Sequence, residues 1–127
     1  MWTYLQNTGE LLRPNGRYLA AGYSGSPEGK NDPTKQSIPD EGPIPQGKYD
    51  INPPEDTISH GPYVLPLTPH PENEMFGRSG FLIHGERKAG SVGFASEGCI
   101  ILPLEVREAI WQSGDHQLQV LDGIKWP

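Results

Sequence analysis

The sequence contains one cysteine, Cys99, in a chain of 127 residues. A lone thiol cannot form an intrachain disulfide, and a single thiolate provides too few ligands for a structural zinc site. Two roles remain for this side chain, a small buried apolar group or a nucleophile. The glycine that directly precedes Cys99, and an apolar strand that ends nearby in His84, favour the nucleophile.

Long apolar runs and an excess of positive charge are also absent. No stretch reaches the ~20 apolar residues that a transmembrane helix needs, so we expect no insertion into a membrane. The sequence predicts no cleavable signal peptide, because no basic start is followed by an apolar segment; a trimmed mature chain would look the same. The net charge of −6 argues against nucleic acid and anionic membranes as partners, and ordinary solubility is its simplest explanation.

Glycine and proline are abundant, with 16 and 14 residues, and no internal repeat accompanies them. Three Trp, five Tyr and three Phe are spread along the chain, which argues against disorder. We therefore expect a compact, loop-rich, mainly β fold. The length predicts a single domain that covers residues 1–127.

The pattern of apolar and turn-forming residues predicts a meander, a long loop, further strands and one helix. Asn15 and Gly16 give the strongest hairpin signal because both tolerate a positive φ. The helix begins after Pro103, and Gly114 is placed as its C′ residue. Pro66 predicts an edge strand or a bulge. The predicted strands are 2–6, 10–13, 17–23, 47–51, 62–68, 81–84 and 117–121, and a long surface loop is predicted at 24–45.

Cys99 and His84 form the candidate catalytic pair, because an imidazole that takes the thiol proton can form an ion pair with the thiolate. Their fifteen-residue spacing lets one strand end at His84 and the chain return beside it with Cys99. Gly98 permits a sharp turn that could aim the N–H groups of residues 98 and 99 at a developing oxyanion. Ser96 is either a turn former or a hydrogen-bond partner in the site, and a backbone carbonyl can hold the second ring nitrogen of His84.

Basic, aromatic and acidic residues near this pair are candidates for substrate binding. Arg78, together with Arg87 and Lys88, could hold a substrate carboxylate, with a solvated surface charge as the alternative for each. For Tyr23, a core aromatic is the role that the residues themselves support. A carboxylate beside the thiol raises the thiol pKa, so we expect Glu97 to point away from it or to bind a substrate amine.

Two other kinds of site have less support. A zinc site built on His84 would need the other histidines, and no pair of them has His-x-x-x-His spacing. A glycan-stacking surface would need the tryptophans, one of which fits the apolar face of the predicted helix better. The histidines are His60, His70 and His116, and the tryptophans are Trp2, Trp111 and Trp126.

The motif around the cysteine resembles the YkuD-type L,D-transpeptidase catalytic domain, whose signature is a histidine followed at a similar distance by Ser/Thr-His-Gly-Cys and an apolar residue. Glu97 stands in place of the second histidine of that signature, and Ile101 stands where Asn or Arg is common. Segments 42–49 and 78–85 resemble a short branch of the superfamily that includes type VI secretion effectors acting on peptidoglycan. The resemblance covers roughly residues 16–122, and the matching motif residues are His84, Ser96, Gly98, Cys99 and Ile100.

The resemblance implies an L,D-transpeptidase-like β-sandwich or barrel with long loops and one short helix after the cysteine. It implies a cysteine acyl-enzyme that acts on the bond between meso-diaminopimelate and D-Ala in peptidoglycan stem tetrapeptides, as an L,D-carboxypeptidase, an L,D-transpeptidase or both. No cofactor and no metal are implied. The implied catalytic residues are Cys99, His84, Gly98 and Ser96, and the implied substrate-binding residues are Tyr23, Arg78 and Glu97.

The same resemblance sets expectations for the setting in which the chain acts. We expect an antibacterial effector that is exported by a dedicated secretion system and acts in the periplasm or cell wall. We expect a monomer, with stem peptides as substrate and an immunity protein as a further partner. The alternative is a non-catalytic cell-wall-binding or phage-associated structural module with the same fold.

Overall fold

The structure, a computed structural model, describes residues 1–86, 93 and 95–123. It confirms the predicted fold class, a mainly β protein with one short helix. The strands are β1 (Trp2–Leu5), β2 (Glu10–Leu12), β3 (Tyr18–Ala21), β4 (Tyr23–Ser24), β5 (Gly47–Ile51), β6 (Glu55–Thr57), β7 (Gly61–Pro69), β8 (Leu82–His84), β9 (Ile100–Ile101) and β10 (Gln117–Leu121); the helix α1 is Leu104–Gln112, and a 3₁₀ turn covers Pro33–Lys35.

The strands form one sheet that nearly closes into a barrel. Its order is β3-β2-β1-β10-β5-β7-β8-β9-β4, with β6 paired to β7. The first and last strands of that order, β3 and β4, are separated in the chain by Gly22 alone. A Cβ at residue 22 would lie 1.8 Å from the carbonyl oxygen of Ile101, so only glycine allows this close approach. The chain itself therefore joins the two ends of the sheet.

The N-terminal meander forms as its turn residues predict. Gly16 has φ +88°, and the backbone N–H of Gly16 donates to the carbonyl of Arg13 in the turn between β2 and β3. β1 pairs antiparallel with β2 and parallel with β10, which brings the two ends of the domain together. The core inside the sheet includes Tyr4, Leu11, Tyr49, Leu65, Ile83, Ile110 and Leu118, each at most 1% exposed.

Pro66 was expected on an edge strand or a bulge, and the structure places it inside the sheet. β7 pairs with β8 on one side, where Pro66 lies opposite Leu82. On the other side, β5 pairs with β7 up to Leu67, and β6 takes over at Val64. Pro66 lies between these two pairings, so its missing N–H faces the place where one partner strand ends and the next begins.

The helix and the long loop also follow the sequence. Ser113 is the C-cap of α1, and Gly114 follows it with φ +79°, which confirms the predicted C′ glycine. The segment 24–45 is largely irregular, as predicted, but it is not only a surface loop. Ile44 within it is fully buried, and the Ile44 N–H donates to Ser24 Oγ. Strands β4, β6 and β9 are too short for their periodicity to be read from sequence.

Candidate active site

His84 is the last residue of β8 and lies at the wall of a cavity of about 1380 Å³. Its side chain is 3% exposed, and Nδ1 lies 2.9 Å from the carbonyl oxygen of Gly85. A carbonyl oxygen can only accept, so Nδ1 carries the proton and Nε2 keeps its lone pair. Burial lowers the pKa of His84, and the nearby His60 and Arg107 lower it further. His84 is therefore a neutral imidazole held in the tautomer that a base requires.

Cys99 lies directly before β9 and lines the same cavity as His84. β8 and β9 run parallel, with Ile83 opposite Ile100 and His84 opposite Ile101. Because side chains alternate along a strand, this register sends Ile83 and Ile100 into the core, where both are fully buried. It sends His84 and Cys99 to the other face. The strand pairing thus brings the two predicted catalytic side chains to one face of the sheet.

The surroundings of Cys99 favour the protonated thiol over the thiolate. Burial raises the pKa of Cys99, Glu97 raises it further, and a backbone hydrogen bond from Leu82 and the charge of Arg78 oppose the rise. The sequence had suggested a thiolate–imidazolium ion pair. The directions of the pKa shifts of Cys99 and His84 instead favour a neutral thiol and a neutral imidazole, and the thiol donates to the carbonyl of Gly80 at 3.9 Å.

Ser96 holds the loop that carries Cys99. It is 2% exposed, its Oγ donates to the carbonyl of Cys99 at 2.6 Å, and it accepts from the N–H groups of Gly25 at 2.9 Å and Gly98 at 3.0 Å. Of the two roles left open for Ser96, the structure favours the loop former. The Gly98 N–H is engaged in this network, so of the two amides predicted to face an oxyanion, that of Gly98 is already bound within the loop.

Gly98 allows the loop to turn directly before the nucleophile. Its φ is +140°, and an added Cβ would lie 2.5 Å from Nη2 of Arg78. Its carbonyl accepts a 2.8 Å hydrogen bond from Ser24 Oγ, which fastens the loop to β4. Both the backbone conformation and the packing of Arg78 therefore require glycine at this position.

Arg78 fastens the long loop to the nucleophile loop and also lines the cavity. It is 8% exposed. Its Nη1 donates to the carbonyls of Gln36 and Pro43 at 2.6 and 2.8 Å, and its Nη2 donates to those of Gly42 and Glu97 at 3.0 and 3.4 Å. Arg78 is thus not the solvated surface charge that was the alternative. Arg87 and Lys88, the other predicted carboxylate binders, lie outside the described residues.

Tyr23 and Glu97 occupy different positions relative to the cavity. The Tyr23 hydroxyl donates to Glu86 at 2.6 Å and accepts from the Ala95 N–H at 3.1 Å, and burial with this carboxylate raises its pKa to about 12. Tyr23 therefore fixes the two ends of the segment between His84 and Cys99. Glu97 is exposed at the cavity wall, next to the thiol.

Two residues that the sequence did not assign to catalysis also line this cavity. The His60 ring lies 4.6 Å from the His84 ring between centroids, on the turn between β6 and β7. Arg107 enters from α1 and is 5% exposed. A signal for Arg107 was present, because it lies three residues before the buried Ile110 on the apolar stripe of the helix. The position of His60 depends on a turn that sequence spacing does not reveal.

Within the part of the chain that the structure describes, the residues of the alternative sites lie apart. Among the described residues, no group of three His, Cys, Asp or Glu side chains could hold a metal ion. His70 pairs with Asp50 at 2.9 Å, and His116 stacks on Trp111, so neither joins His84. Of the tryptophans, Trp2 is a core residue, Trp111 packs against the core, and Trp126 lies outside the described residues.

The comparisons with known proteins identify the family. The Tlde1 domain model matches residues 19–122. The chain belongs to the Tlde1 domain family of type VI secretion effectors. No curated protein matches the sequence. None of the helices in the part of the chain that the structure describes is long and apolar enough to cross a membrane.

The fold also has a solved counterpart. Bd1075 of Bdellovibrio bacteriovorus matches with a TM-score of 0.61 at 14% identity, over 98% of this chain and 48% of that protein. At this identity the match shows a shared fold. The chain spans about half the length of that structure.

Proposed function

We propose that this Tlde1 domain is a cysteine acyltransferase that acts on peptidoglycan stem tetrapeptides, releasing the terminal D-Ala from meso-diaminopimelate. The observation that supports it most directly is the parallel pairing of β8 and β9, which brings His84 and Cys99 to one face above an open cavity. Membership in an effector family supports an antibacterial role outside the producing cell.

The chemistry begins from the neutral pair. Nε2 of His84 takes the proton of Cys99 Sγ as the sulfur attacks the carbonyl carbon of the diaminopimelate residue. The carbonyl π electrons move to oxygen, and the Cys99 N–H is the donor that we assign to the resulting oxyanion. When the oxyanion collapses, the C–N bond breaks and the imidazolium of His84 gives its proton to the leaving amine. A thioester and free D-Ala result.

The second half-reaction returns the enzyme to its starting state. Neutral His84 removes a proton from water or from an acceptor amine, which attacks the thioester carbonyl. The C–S bond breaks, and the sulfur of Cys99 recovers a proton from His84. Water as acceptor gives a tripeptide, the carboxypeptidase outcome. An amine gives a new amide bond, either a cross-link or an exchanged D-amino acid.

Mass analysis of purified muropeptides tests this proposal. We expect the wild-type protein to convert tetrapeptides to tripeptides or exchanged products, and Cys99→Ala and His84→Gln to leave them intact. Tetrapeptides that stay intact with the wild-type protein as well would reject the enzymatic function and favour the wall-binding module. Pull-down with insoluble peptidoglycan would then measure binding directly.

A further inference from the structure

Arg107 presents an unused hydrogen-bonding edge at the cavity. Its Nη1 donates to the carbonyls of Pro62 and Tyr63 at 3.0 and 3.3 Å. Its Nε is buried without a hydrogen-bond partner within the described residues. A buried donor left unpaired is costly, so such a group in a native structure requires an explanation. A ligand that enters the cavity would provide one.

Gly85 leaves space in front of the same edge. A Cβ on residue 85 would lie 2.9 Å from Nη2 of Arg107, so any other residue would crowd this nitrogen. Gly85 has no positive φ that would by itself require glycine. Nε and Nη2 lie on one side of the planar guanidinium and together form the fork that accepts a carboxylate through two parallel hydrogen bonds. The missing Cβ thus leaves room where the second carboxylate oxygen would bind.

Among the described residues, the charges of Glu105 and Glu108 on the same helix act on Arg107, but its hydrogen bonds go to the carbonyls of Pro62 and Tyr63 and not to these carboxylates. The salt bridges of the described residues do not include Arg107. Glu86, which follows Gly85, accepts hydrogen bonds from the Tyr23 hydroxyl and the Gly93 N–H. Arg107 therefore brings a buried positive charge to the cavity, and an anion is the ligand that this charge fits.

We propose that Arg107 and Gly85 form the binding site for the free C-terminal carboxylate of the stem peptide, which is the carboxylate of the leaving amino acid. This inference rests on the proposed function. His84 protonates the leaving amine, and in an amino acid only the α carbon separates that amine from the carboxylate. The His84 ring contacts Gly85, because its Nδ1 donates to the Gly85 carbonyl at 2.9 Å, so a carboxylate against Gly85 and Arg107 would lie close to the base.

The site makes the enzyme selective for chain ends. A peptide whose terminal carboxylate is blocked would leave Arg107 buried and unpaired, and its reaction would be slow. The same site would hold the carboxylate of an incoming free D-amino acid, because exchange passes through the reverse of the cleavage step. We therefore expect cleavage and exchange of terminal residues to depend equally on Arg107.

Two forms of one tetrapeptide test this site, the free acid and the C-terminal carboxamide. We expect the wild-type kcat/KM to favour the acid by about 10- to 100-fold, the range for a charge-assisted hydrogen-bonded pair. Arg107→Gln should remove most of this preference. Arg17→Gln, at an exposed position in the β2–β3 turn, is the control with the same change in charge and should keep the preference.

A second variant controls for loss of the fold, because Nη1 of Arg107 also binds the carbonyls of Pro62 and Tyr63 at the start of β7. Gly85→Ala keeps the guanidinium and its carbonyl contacts but fills the space at Nη2, and it should also reduce the acid preference. A role limited to holding the start of β7 predicts that Arg107→Gln slows the reaction of both peptides equally. Equal wild-type rates on acid and amide would overturn the inference while the proposed function stands.

If no turnover is found, calorimetry can measure how tightly the acid and the amide forms of the peptide bind to the Cys99→Ala variant. Tighter binding of the acid than of the amide, lost in the Cys99→Ala/Arg107→Gln double variant, would support the carboxylate site even if the catalytic proposal failed. Equal binding of both peptides would overturn it.

Discussion

The hydroxyl of Ser96 donates a 2.6 Å hydrogen bond to the carbonyl of Cys99 and accepts the N–H groups of Gly25 and Gly98. One buried oxygen therefore binds the backbone of Gly98 and of Cys99 and connects both to Gly25 at the start of the long loop. The conformation of this loop, more than the chemistry of any single side chain, sets the direction in which Cys99 faces the cavity.

Ser96→Ala should destabilise the protein and reduce its activity together. The change leaves two N–H groups and one carbonyl in a buried loop without their partner, which costs about 1–3 kcal/mol for such a group. We expect a lower midpoint in urea unfolding and a fall in kcat with a smaller change in KM. Ser37→Ala, at an exposed position in the long loop, is the matched control. Unchanged stability in Ser96→Ala would contradict the network described above.

The pH dependence of the reaction should report a neutral resting pair. Burial lowers the pKa of His84 below its ordinary value near 6.5, so the imidazole remains a competent base until the pH falls through that lowered pKa. We expect kcat/KM to be flat across neutral pH and to drop only on the acid side. The lowered pKa keeps the imidazole of His84 neutral at pH values above it. Activity is lost as the pH falls through that pKa and the imidazole takes up a proton.

Alkylation of Cys99 by iodoacetamide gives an independent measure of the same state. Because burial raises the thiol pKa, the rate should be low at neutral pH and should still be rising at alkaline pH. His84→Gln should change this profile little. A fast, pH-independent rate at neutral pH that is lost in His84→Gln would instead show a preformed ion pair.

Gly98→Ala should be among the most damaging single-methyl additions to this domain. Residue 98 has φ +140°, where a side chain is strained by about 1–3 kcal/mol, and the new Cβ would displace Arg78 from its carbonyl contacts. We expect a loss of thermal stability and of activity. Gly61→Ala is a fair control, because Gly61 also has a positive φ but nothing lies within 4 Å of its added Cβ. Equal losses in both variants would show that only backbone strain matters at residue 98.

Tyr23→Phe should separate positioning from stability. The change removes the hydrogen bonds from the hydroxyl to Glu86 and from the Ala95 N–H, at a cost of about 1 kcal/mol. We expect a modest fall in melting temperature and a clear fall in kcat, because Glu86 and Ala95, at the two ends of the segment between His84 and Cys99, both lose their hydrogen bond to Tyr23. Tyr18→Phe, at a 56% exposed position, provides the control. Wild-type kcat in Tyr23→Phe would argue that this segment is positioned by other contacts.

The sequence predicted those features that are local or that a motif carries. The Asn15-Gly16 turn, the C′ glycine at 114 and the strand that ends at His84 all follow from nearby residues. Pairing between distant segments could not be predicted in this way. The position of Pro66 between two partner strands, the two-residue strand β4 and the parallel register of β8 with β9 depend on contacts across the sheet.

The same limit applies to the candidate site. Cys99 and His84 could be named from their motif, but the use of the Gly98 amide within the loop and the four carbonyl contacts of Arg78 could not. From sequence alone, a charged side chain is expected to be exposed to solvent. Arg78 and Arg107 are exceptions, because each is buried by carbonyl groups from segments far away in the chain.

Gly22 has a wider consequence, because it joins β3, in the N-terminal meander, to β4, which pairs with the strand that follows Cys99. Because residue 22 has no side chain, the chain can pass from β3 to β4 close to the carbonyl of Ile101. A change in the register of β3 would therefore also move β4. A bulkier residue at position 22 would clash with the carbonyl of Ile101 and push the meander away from β9, and Cys99 would lose its alignment through a change outside the cavity.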